Sequence, residues 1–222
     1  MGEEAKNGME VEVKLRLETV DAYNRLLALF DADRPAQIGG PLGKLGERHE
    51  QVNYFFEGSH GELEAKRSVL RVRIYDVDKK ATITLKGKMV IDGGVGRAAE
   101  MEESIPPKVA HQCVADPSML TDPNVLPQSE VMAFVKQTFG PGIELSCLGS
   151  FSNTRQEVAW GEHLLEIDAT KFDWGTLHEL EAETAQPDAL KAKLEQFLGD
   201  HQIQYSYSKT SKFANFRNKT LL

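Results

Sequence analysis

Hydrophobic and charged residues alternate strictly near the start of the chain, where residues 10–17 read E-V-E-V-K-L-R-L. A period of two is typical of a β-strand with one buried face. The other face carries the charged residues Glu10, Glu12, Lys14 and Arg16. The pattern becomes helical at residues 19–30, where Thr19 precedes an apolar stripe and predicts an N-cap.

The remaining patterns predict more strands than helices. Residues 31–46 are rich in Gly and Pro and predict a loop, residues 106–139 predict helices interrupted by prolines, and residues 188–198 predict an amphipathic helix. Further strands are predicted at residues 49–56, 69–75, 81–88, 98–105, 145–154, 156–160, 163–168 and 177–184. About eight strands, mostly in hairpin order, indicate an α+β antiparallel barrel or a strongly curved sheet.

Charged residues recur at every second position in five further predicted strands. These are Arg71 and Arg73, Lys86 and Lys88, Glu100 and Glu102, Glu166 and Asp168, and Glu179, Glu181 and Glu183. One explanation is an antiparallel sheet with one face in water. Like charges repel along and across such a face, however, and the signs here segregate by strand. We therefore favour a cavity in which carboxylates hold divalent cations and basic side chains hold a polyanion.

The composition and the net charge limit the classes of protein to which this chain can belong. The 222 residues are 41% hydrophobic and 27% charged, which fits one globular domain. The net charge of −8 disfavours a nucleic-acid-binding protein that relies on a general basic field. The sequence shows neither an apolar run long enough to span a membrane nor a signal peptide. Cys113 and Cys147 lie far apart and fit buried thiols in a reducing compartment, so we expect a cytoplasmic protein.

The charge pattern indicates phosphate chemistry without a P-loop. The sequence contains no GxxxxGK[ST] motif, so side chains rather than backbone amides would bind the phosphates. Mg²⁺ and Mn²⁺ prefer carboxylate oxygens, whereas Lys and Arg neutralise phosphoryl oxygens. Phosphoryl transfer needs mostly positioning, charge stabilisation and an activated water, and such a cavity can supply these.

The ordered motifs resemble a known family. Residues 10–14, E-V-E-V-K, match the ExExK signature that opens the CYTH domain of triphosphate tunnel metalloenzymes. Later matches are L-R-V-R at 70–73, L-K-G-K at 85–88, L-E-I-D at 165–168, E-L-E-A-E at 179–183 and T-S-K-F at 210–213. The chain most resembles the short plant-type members that are similar to inorganic triphosphatases. This resemblance implies an N-terminal extension at residues 1–9, a tunnel domain at 10–217 and a tail at 218–222.

The resemblance implies a closed eight-stranded antiparallel β-barrel with a charged interior and flanking helices, which binds a linear triphosphate end to end. The implied ligands of Mg²⁺ or Mn²⁺ are Glu10, Glu12, Glu100, Glu181 and Glu183. The implied catalytic residues are Glu12, Glu100 and Lys14. The implied phosphate-binding residues are Lys14, Arg16, Arg71, Arg73, Lys86, Lys88, Arg155 and Lys212. Asp168 and Glu179 could instead orient a basic side chain.

The leading hypothesis is metal-dependent hydrolysis of inorganic tripolyphosphate to pyrophosphate and phosphate by a metal-activated water. Alternatives with the same fold are a thiamine triphosphatase, a nucleotide or RNA 5′-triphosphatase and an adenylyl cyclase. A base-recognising member should add an aromatic or apolar pocket, and the strand motifs show none. Two further alternatives are a non-catalytic polyphosphate-binding module and a structural domain with a solvated charged face. The expected partner is a small-molecule triphosphate, rather than a nucleic acid or a membrane.

Overall fold

The computed structural model describes residues 6–31 and 43–222. Most of the predicted loop at residues 31–46, and residues 1–5 of the predicted extension, lie outside the described residues. The strands are β1 (Lys6–Leu17), β2 (Lys44–Gly58), β3 (Val69–Tyr75), β4 (Lys80–Lys86), β5 (Val90–Asp92), β6 (Val95–Ile105), β7 (Leu145–Trp160), β8 (His163–Phe172), β9 (Gly175–Glu183) and β10 (Tyr205–Tyr207). The helices are α1 (Val20–Leu29), α2 (Glu62–Ala65), α3 (Pro107–Ala115), α4 (Glu130–Phe139), α5 (Pro187–Asp200) and α6 (Lys212–Asn218), with a short 3-10 helix at Pro117–Leu120.

The strands form one sheet in the order β10-β1-β9-β8-β7-β2-β3-β4-β6-β5, and β1 also pairs with β6. Neighbouring strands pair from β1 through β9, β8, β7, β2, β3 and β4 to β6, and β6 pairs with β1. These eight strands therefore form a closed sheet. The predicted closed eight-stranded antiparallel β-barrel with flanking helices is confirmed. The sequence predicted separate strands at residues 145–154 and 156–160, but the structure has one continuous strand, β7, which includes Arg155.

The chain divides into two compact units. The first unit comprises Met1–Met9, Glu50–Met89 and Ala98–Ser152, and the second comprises Glu10–His49, Val90–Arg97 and Asn153–Leu222. Each unit has its own hydrophobic core. The domain boundaries that the resemblance implied stay a prediction.

In the second unit, helices α1 and α5 cover the apolar side of β1, β8 and β9. Leu26 and Leu194 are fully buried against strand residues such as Leu15 and Leu180. The predicted N-cap of α1 is present, because the Thr19 hydroxyl accepts a 3.0 Å hydrogen bond from the backbone N–H of Ala22. Since successive strand residues point to opposite sides, the charged residues of these strands lie on the face away from the helices.

In the first unit, helices α3 and α4 cover the apolar side of β3 and β4. Val72 and Ile83 are fully buried in one cluster with Ala110 of α3 and Val135 of α4. Alternation again leaves Arg71 and the polar residues of these strands on the opposite face. Among the described residues, none of the helices combines the length and apolar character that a membrane-spanning helix needs.

Candidate active site

In the second unit, the register of β1 and β9 places the predicted site residues of the two strands directly opposite each other. Glu12 faces Glu183, and Lys14 faces Glu181. The next pair on this face joins Arg16 to Glu179. Two acidic residues, Glu12 and Glu183, therefore face each other at one end of the strand pair. Further along the same face, each basic residue of β1 lies opposite an acidic residue of β9.

Lys14 is the buried cation at the centre of this row. Its Nζ donates to Glu181 and lies 3.6 Å from Glu12 and 3.9 Å from Glu179. Its backbone is held as well, because its N–H donates to the carbonyl oxygen of Gly94 at 2.8 Å. Burial lowers the pKa of the Lys14 ammonium, and the neighbouring carboxylates Glu12 and Glu179 only partly offset that effect.

Asp168 on β8 holds two of the predicted phosphate-binding cations. It accepts hydrogen bonds from Arg155 Nε at 2.9 Å and Nη2 at 2.7 Å, and from Lys212 Nζ at 2.7 Å. Burial alone would raise the pKa of Asp168, but Arg155 and Lys212 outweigh it and hold this pKa well below its usual range. Asp168 therefore holds basic side chains in place, as the sequence analysis allowed.

Glu179 on β9 has the corresponding role for other cations. One of its carboxylate oxygens lies 3.5 Å from Arg16 Nη2, and the other lies 3.3 Å from Lys212 Nζ. The Ser208 hydroxyl donates to Glu179 at 2.8 Å, and both side chains are buried. Burial would raise the pKa of Glu179, but Lys14, Lys212 and Arg16 hold it at about 2.

The Arg16 guanidinium retains unused hydrogen-bonding capacity. Its Nη2 donates to the carbonyl oxygen of Leu222. Its Nε and Nη1 are buried and have no hydrogen-bond partner among the residues that the structure describes. Buried donors are normally paired, so these two nitrogens suit an anionic ligand.

In the first unit, Arg71 belongs to a small hydrogen-bonded group. Its Nη2 donates to the Thr84 hydroxyl at 3.1 Å and to Glu102 at 3.2 Å, and the Thr84 hydroxyl donates to Glu102 at 2.7 Å. Burial would raise the pKa of Glu102, but Arg71 and Arg73 lower it. Arg73 donates from Nε to Asn53 Oδ1 at 2.7 Å and from Nη1 to the Tyr75 hydroxyl at 3.3 Å.

The remaining predicted residues of the first unit differ in their surroundings. Lys86 Nζ lies 2.6 Å from the carboxylate of Glu100, which is buried. Lys88 is exposed and follows the end of β4, because this strand stops at Lys86 instead of continuing to residue 88 as predicted. The structure therefore does not bring Lys88 into the group formed by the other cations of its unit.

The donor chemistry of the second unit fits a hard divalent cation in part. Glu12 lies directly opposite Glu183, and Glu10 is on the same face of β1. Carboxylates opposite each other destabilise a strand pair, and a divalent cation that they share removes this penalty. Glu181 is engaged by Lys14, Arg155 and Lys212. Among the described residues, no three His, Cys, Asp or Glu side chains already have a metal-binding arrangement.

Sequence reasoning missed four residues that contact the predicted site residues or share their face. Asn53, Thr82 and Thr84 lie on the charged face of the first unit, and Ser208 contacts Glu179 in the second. The threonines alternate with apolar residues along β4, a signal that was present but is also typical of any strand. Ser208 follows a strand of three residues, which is too short to show a pattern.

Comparisons with known proteins identify the family and the fold. The family model of the CYTH domain matches residues 8–216. A solved Hippeastrum protein, described as a candidate adenylyl cyclase with a dominant triphosphatase activity, is 35% identical with a TM-score of 0.86, covering 96% of this chain and 97% of that one. The search of curated proteins found no match.

Two more distant structures show the fold alone. A candidate adenylate cyclase from Bacillus halodurans is 21% identical with a TM-score of 0.67, covering 94% of this chain and 98% of that one. A Pyrococcus horikoshii protein is 14% identical with a TM-score of 0.57, covering 94% and 99%. The match of the family model over residues 8–216 and the 35% identity to the Hippeastrum protein show that the chain belongs to the CYTH family.

Proposed function

We propose that this CYTH protein hydrolyses a linear triphosphate, with inorganic tripolyphosphate as the favoured substrate and pyrophosphate and phosphate as products. The observation that carries the proposal is the change of sign along one face of β1, from Glu10 and Glu12 to Lys14 and Arg16. Carboxylates suit divalent cations, whereas ammonium and guanidinium groups suit phosphoryl oxygens. The dominant triphosphatase activity given for the Hippeastrum protein supports the same reaction.

The cations of each unit would bind phosphoryl oxygens. In the second unit, Arg16 Nε and Nη1 have no partner among the described residues and can bind an anion without giving up such a contact. Lys14, Arg155 and Lys212 would exchange contacts with carboxylates for contacts with phosphate. In the first unit, Arg71, Arg73 and Lys86 have this role in our proposal. A role for Lys88 in phosphate binding stays a prediction from the sequence.

Mg²⁺ or Mn²⁺ is the proposed cofactor. Glu10, Glu12 and Glu183 would hold the ion in the second unit, and Glu181 would join them on leaving its ion pairs. When bound, such an ion neutralises phosphate charge and lowers the pKa of the attacking water. Lys14 would stabilise the negative charge that develops on the departing pyrophosphate, while Asp168 and Glu179 keep the neighbouring cations in place. The assistance by Glu100 that the resemblance implied stays a prediction.

The test is phosphate release from tripolyphosphate with Mg²⁺, Mn²⁺ or EDTA, for the wild type and for Glu12→Gln. Thiamine triphosphate, ATP and pyrophosphate serve as competing substrates, and cyclic AMP is measured in the ATP reaction. Glu18→Gln is the matched control, since Glu18 is exposed directly after β1. We expect metal-dependent turnover that favours tripolyphosphate, falls at least about a hundredfold in Glu12→Gln and is retained in Glu18→Gln.

The outcome separates the alternatives. Absence of turnover on every triphosphate, with tripolyphosphate still bound, would replace hydrolysis by a polyphosphate-binding module. Cyclic AMP as the main product from ATP would favour an adenylyl cyclase. Equal turnover in Glu12→Gln and the wild type would remove Glu12 from the reaction.

A triphosphate with an aromatic group is the second candidate substrate. The charged face of the first unit carries two aromatic side chains that the strand motifs did not single out: Phe55 lies opposite Arg71, and Tyr75 contacts Arg73. Phe55 also packs against Phe151, with ring centroids 5.2 Å apart. Faster turnover of thiamine triphosphate or ATP than of tripolyphosphate would favour this candidate.

The proposed location is the cytoplasm. Cys113 and Cys147 are both free thiols, as expected in a reducing compartment. Cys113 is buried, and burial raises its pKa to about 11, whereas Cys147 is exposed and the expectation that both are buried is wrong for it. The proposed partner is a small-molecule triphosphate.

A further inference from the structure

Three strands of the first unit align a row of polar residues around Arg73. In the register of β2 with β3, Asn53 is the partner of Arg73, and in the register of β3 with β4, Arg73 is the partner of Thr82. Residues at partner positions on adjacent strands share one face of the sheet. Asn53 and Thr82 therefore flank Arg73 on the face that points away from helices α3 and α4.

The contact with Arg73 fixes the orientation of the Asn53 amide. A guanidinium offers only donors, so the group that receives the 2.7 Å hydrogen bond from Arg73 Nε must be the amide oxygen. The amide nitrogen of Asn53 is then directed elsewhere with two N–H groups. Asn53 is 1% exposed, and within the described part of the chain its Nδ2 has no hydrogen-bond partner.

The hydroxyl of Thr82 has the same property. Thr82 is 1% exposed, and its Oγ1 has no hydrogen-bond partner within the residues that the structure covers. Thr84, which is two residues further along β4 and also buried, differs because its hydroxyl binds Arg71 and Glu102. Among the described residues of β4, the Thr82 hydroxyl is thus the one buried side-chain polar group without a partner, although buried polar groups are normally satisfied.

We propose that Asn53 and Thr82 are neutral phosphate-binding residues that act beside Arg73, an inference that rests on the proposed function. The Asn53 amide nitrogen and the Arg73 guanidinium can only donate hydrogen bonds, and the Thr82 hydroxyl can donate one. A phosphoryl group complements these donors, because its oxygens are hydrogen-bond acceptors. A divalent cation does not fit this row, because N–H groups point their positive ends at it.

The test measures the binding of inorganic tripolyphosphate by calorimetry in EDTA, together with the thermal unfolding of the free proteins. Thr82→Val and Asn53→Leu remove the unpaired polar atoms at nearly constant volume, and Thr82→Ser keeps the hydroxyl. A hydrogen bond to a charged group corresponds to roughly tenfold to one-hundredfold in affinity. We expect a loss of this size in Thr82→Val and Asn53→Leu, with near wild-type affinity in Thr82→Ser.

Stability distinguishes binding from structural roles. Replacing the unpaired buried hydroxyl of Thr82 by a methyl group in Thr82→Val should leave the melting temperature unchanged or raise it. Asn53→Leu also removes the acceptor of Arg73 Nε and should lower the melting temperature. Thr170→Val is the matched control, because the buried Thr170 hydroxyl donates to Asn153 at 2.7 Å. This control should lower the melting temperature and leave the affinity for tripolyphosphate unchanged. If Asn53→Leu does not fold, Thr82→Val and its serine rescue decide the question.

The inference is overturned if Thr82→Val and Asn53→Leu bind tripolyphosphate within about twofold of the wild type, or if the wild type does not bind it. Phosphate release from tripolyphosphate is measured separately and tests the proposed hydrolysis on its own. Binding that depends on Asn53 and Thr82 without turnover would refute hydrolysis alone. Normal turnover with no dependence on these two residues would refute the inference alone.

Discussion

The carboxylate of Asp168 binds the guanidinium of Arg155 through two hydrogen bonds, 2.9 Å from Nε to Oδ1 and 2.7 Å from Nη2 to Oδ2. Asp168 is fully buried, and the same Oδ2 accepts a hydrogen bond from Lys212 at 2.7 Å. A single acidic side chain thus holds two cations that we propose to bind phosphate. Since buried cations are costly to desolvate, the carboxylate allows them to remain charged and in place.

Replacing Asp168 by Asn should therefore destabilise the protein. Arg155 and Lys212 would lose a buried counter-charge, which costs about 3 kcal/mol or more in comparable buried pairs. Urea denaturation measures the change in the free energy of unfolding. Glu162→Gln is the control, because Glu162 pairs with Lys193 at 3.8 Å on the surface, and we expect a change within about 0.5 kcal/mol. Equal stability of the two variants would contradict the assigned role of Asp168.

The stability of the folded protein should fall steeply in acid because of Glu179. The pKa of Glu179 is about 2 in the folded protein against an ordinary 4.5, so its contribution is complete above pH 4.5 and is lost as the pH falls towards 2. That contribution is on the order of 3 kcal/mol. Unfolding free energies measured from pH 6 to pH 2 should therefore show a shallower decline in Glu179→Gln than in the wild type. Parallel declines would refute the low pKa.

The hydrogen bond from Ser208 to Glu179 should affect how the free energy of unfolding falls in acid. Ser208→Ala removes a buried 2.8 Å contact, so we expect a loss of about 1 kcal/mol in unfolding free energy. The pKa of Glu179 should rise, because the hydroxyl stabilises its charged form, and the acid decline should begin at a higher pH. Ser206→Ala, in strand β10, is the control. In this variant, the free energy of unfolding should decline over the same pH range as in the wild type. An unchanged decline in Ser208→Ala would show that the hydroxyl does not act on Glu179.

The charged faces of β1, β3 and β9 follow from the sequence because a strand directs every second side chain to one side. A row such as E-V-E-V-K-L-R-L needs no tertiary information to divide into an apolar and a charged face. The partnerships within the face do need it. Lys14 and Glu181 are 167 residues apart, and only the register of β1 with β9 makes them neighbours.

The row of Asn53 shows why part of the candidate site is hidden in the sequence. In β2, Phe55 shares the charged face with Asn53, while Tyr54 and Phe56 pack in the hydrophobic core on the other side. Apolar residues thus occur on both faces, and no alternation marks the strand. The exposed position of Lys88 has a different cause, since the end of β4 depends on local pairing that a charge pattern does not reveal.

Metal binding should distinguish the carboxylates that we propose as ligands from those that position cations. A ligand that binds only the folded state raises its melting temperature, so Mg²⁺ should stabilise the wild type relative to EDTA. This metal-dependent rise should shrink in Glu12→Gln and in Glu183→Gln, whose side chains face each other across β1 and β9. Glu179→Gln should retain the rise, because Glu179 is engaged by Arg16, Lys212 and Ser208.

The comparison is made within each variant, with and without Mg²⁺, because Glu179→Gln is also expected to lower the melting temperature itself. Loss of the rise in Glu179→Gln alone would reverse our assignment and make Glu179 the metal ligand. Equal rises in all variants would place metal binding elsewhere. A rise lost only in Glu12→Gln and Glu183→Gln would explain why two carboxylates lie opposite each other on a strand pair, since a shared cation turns their repulsion into a binding site.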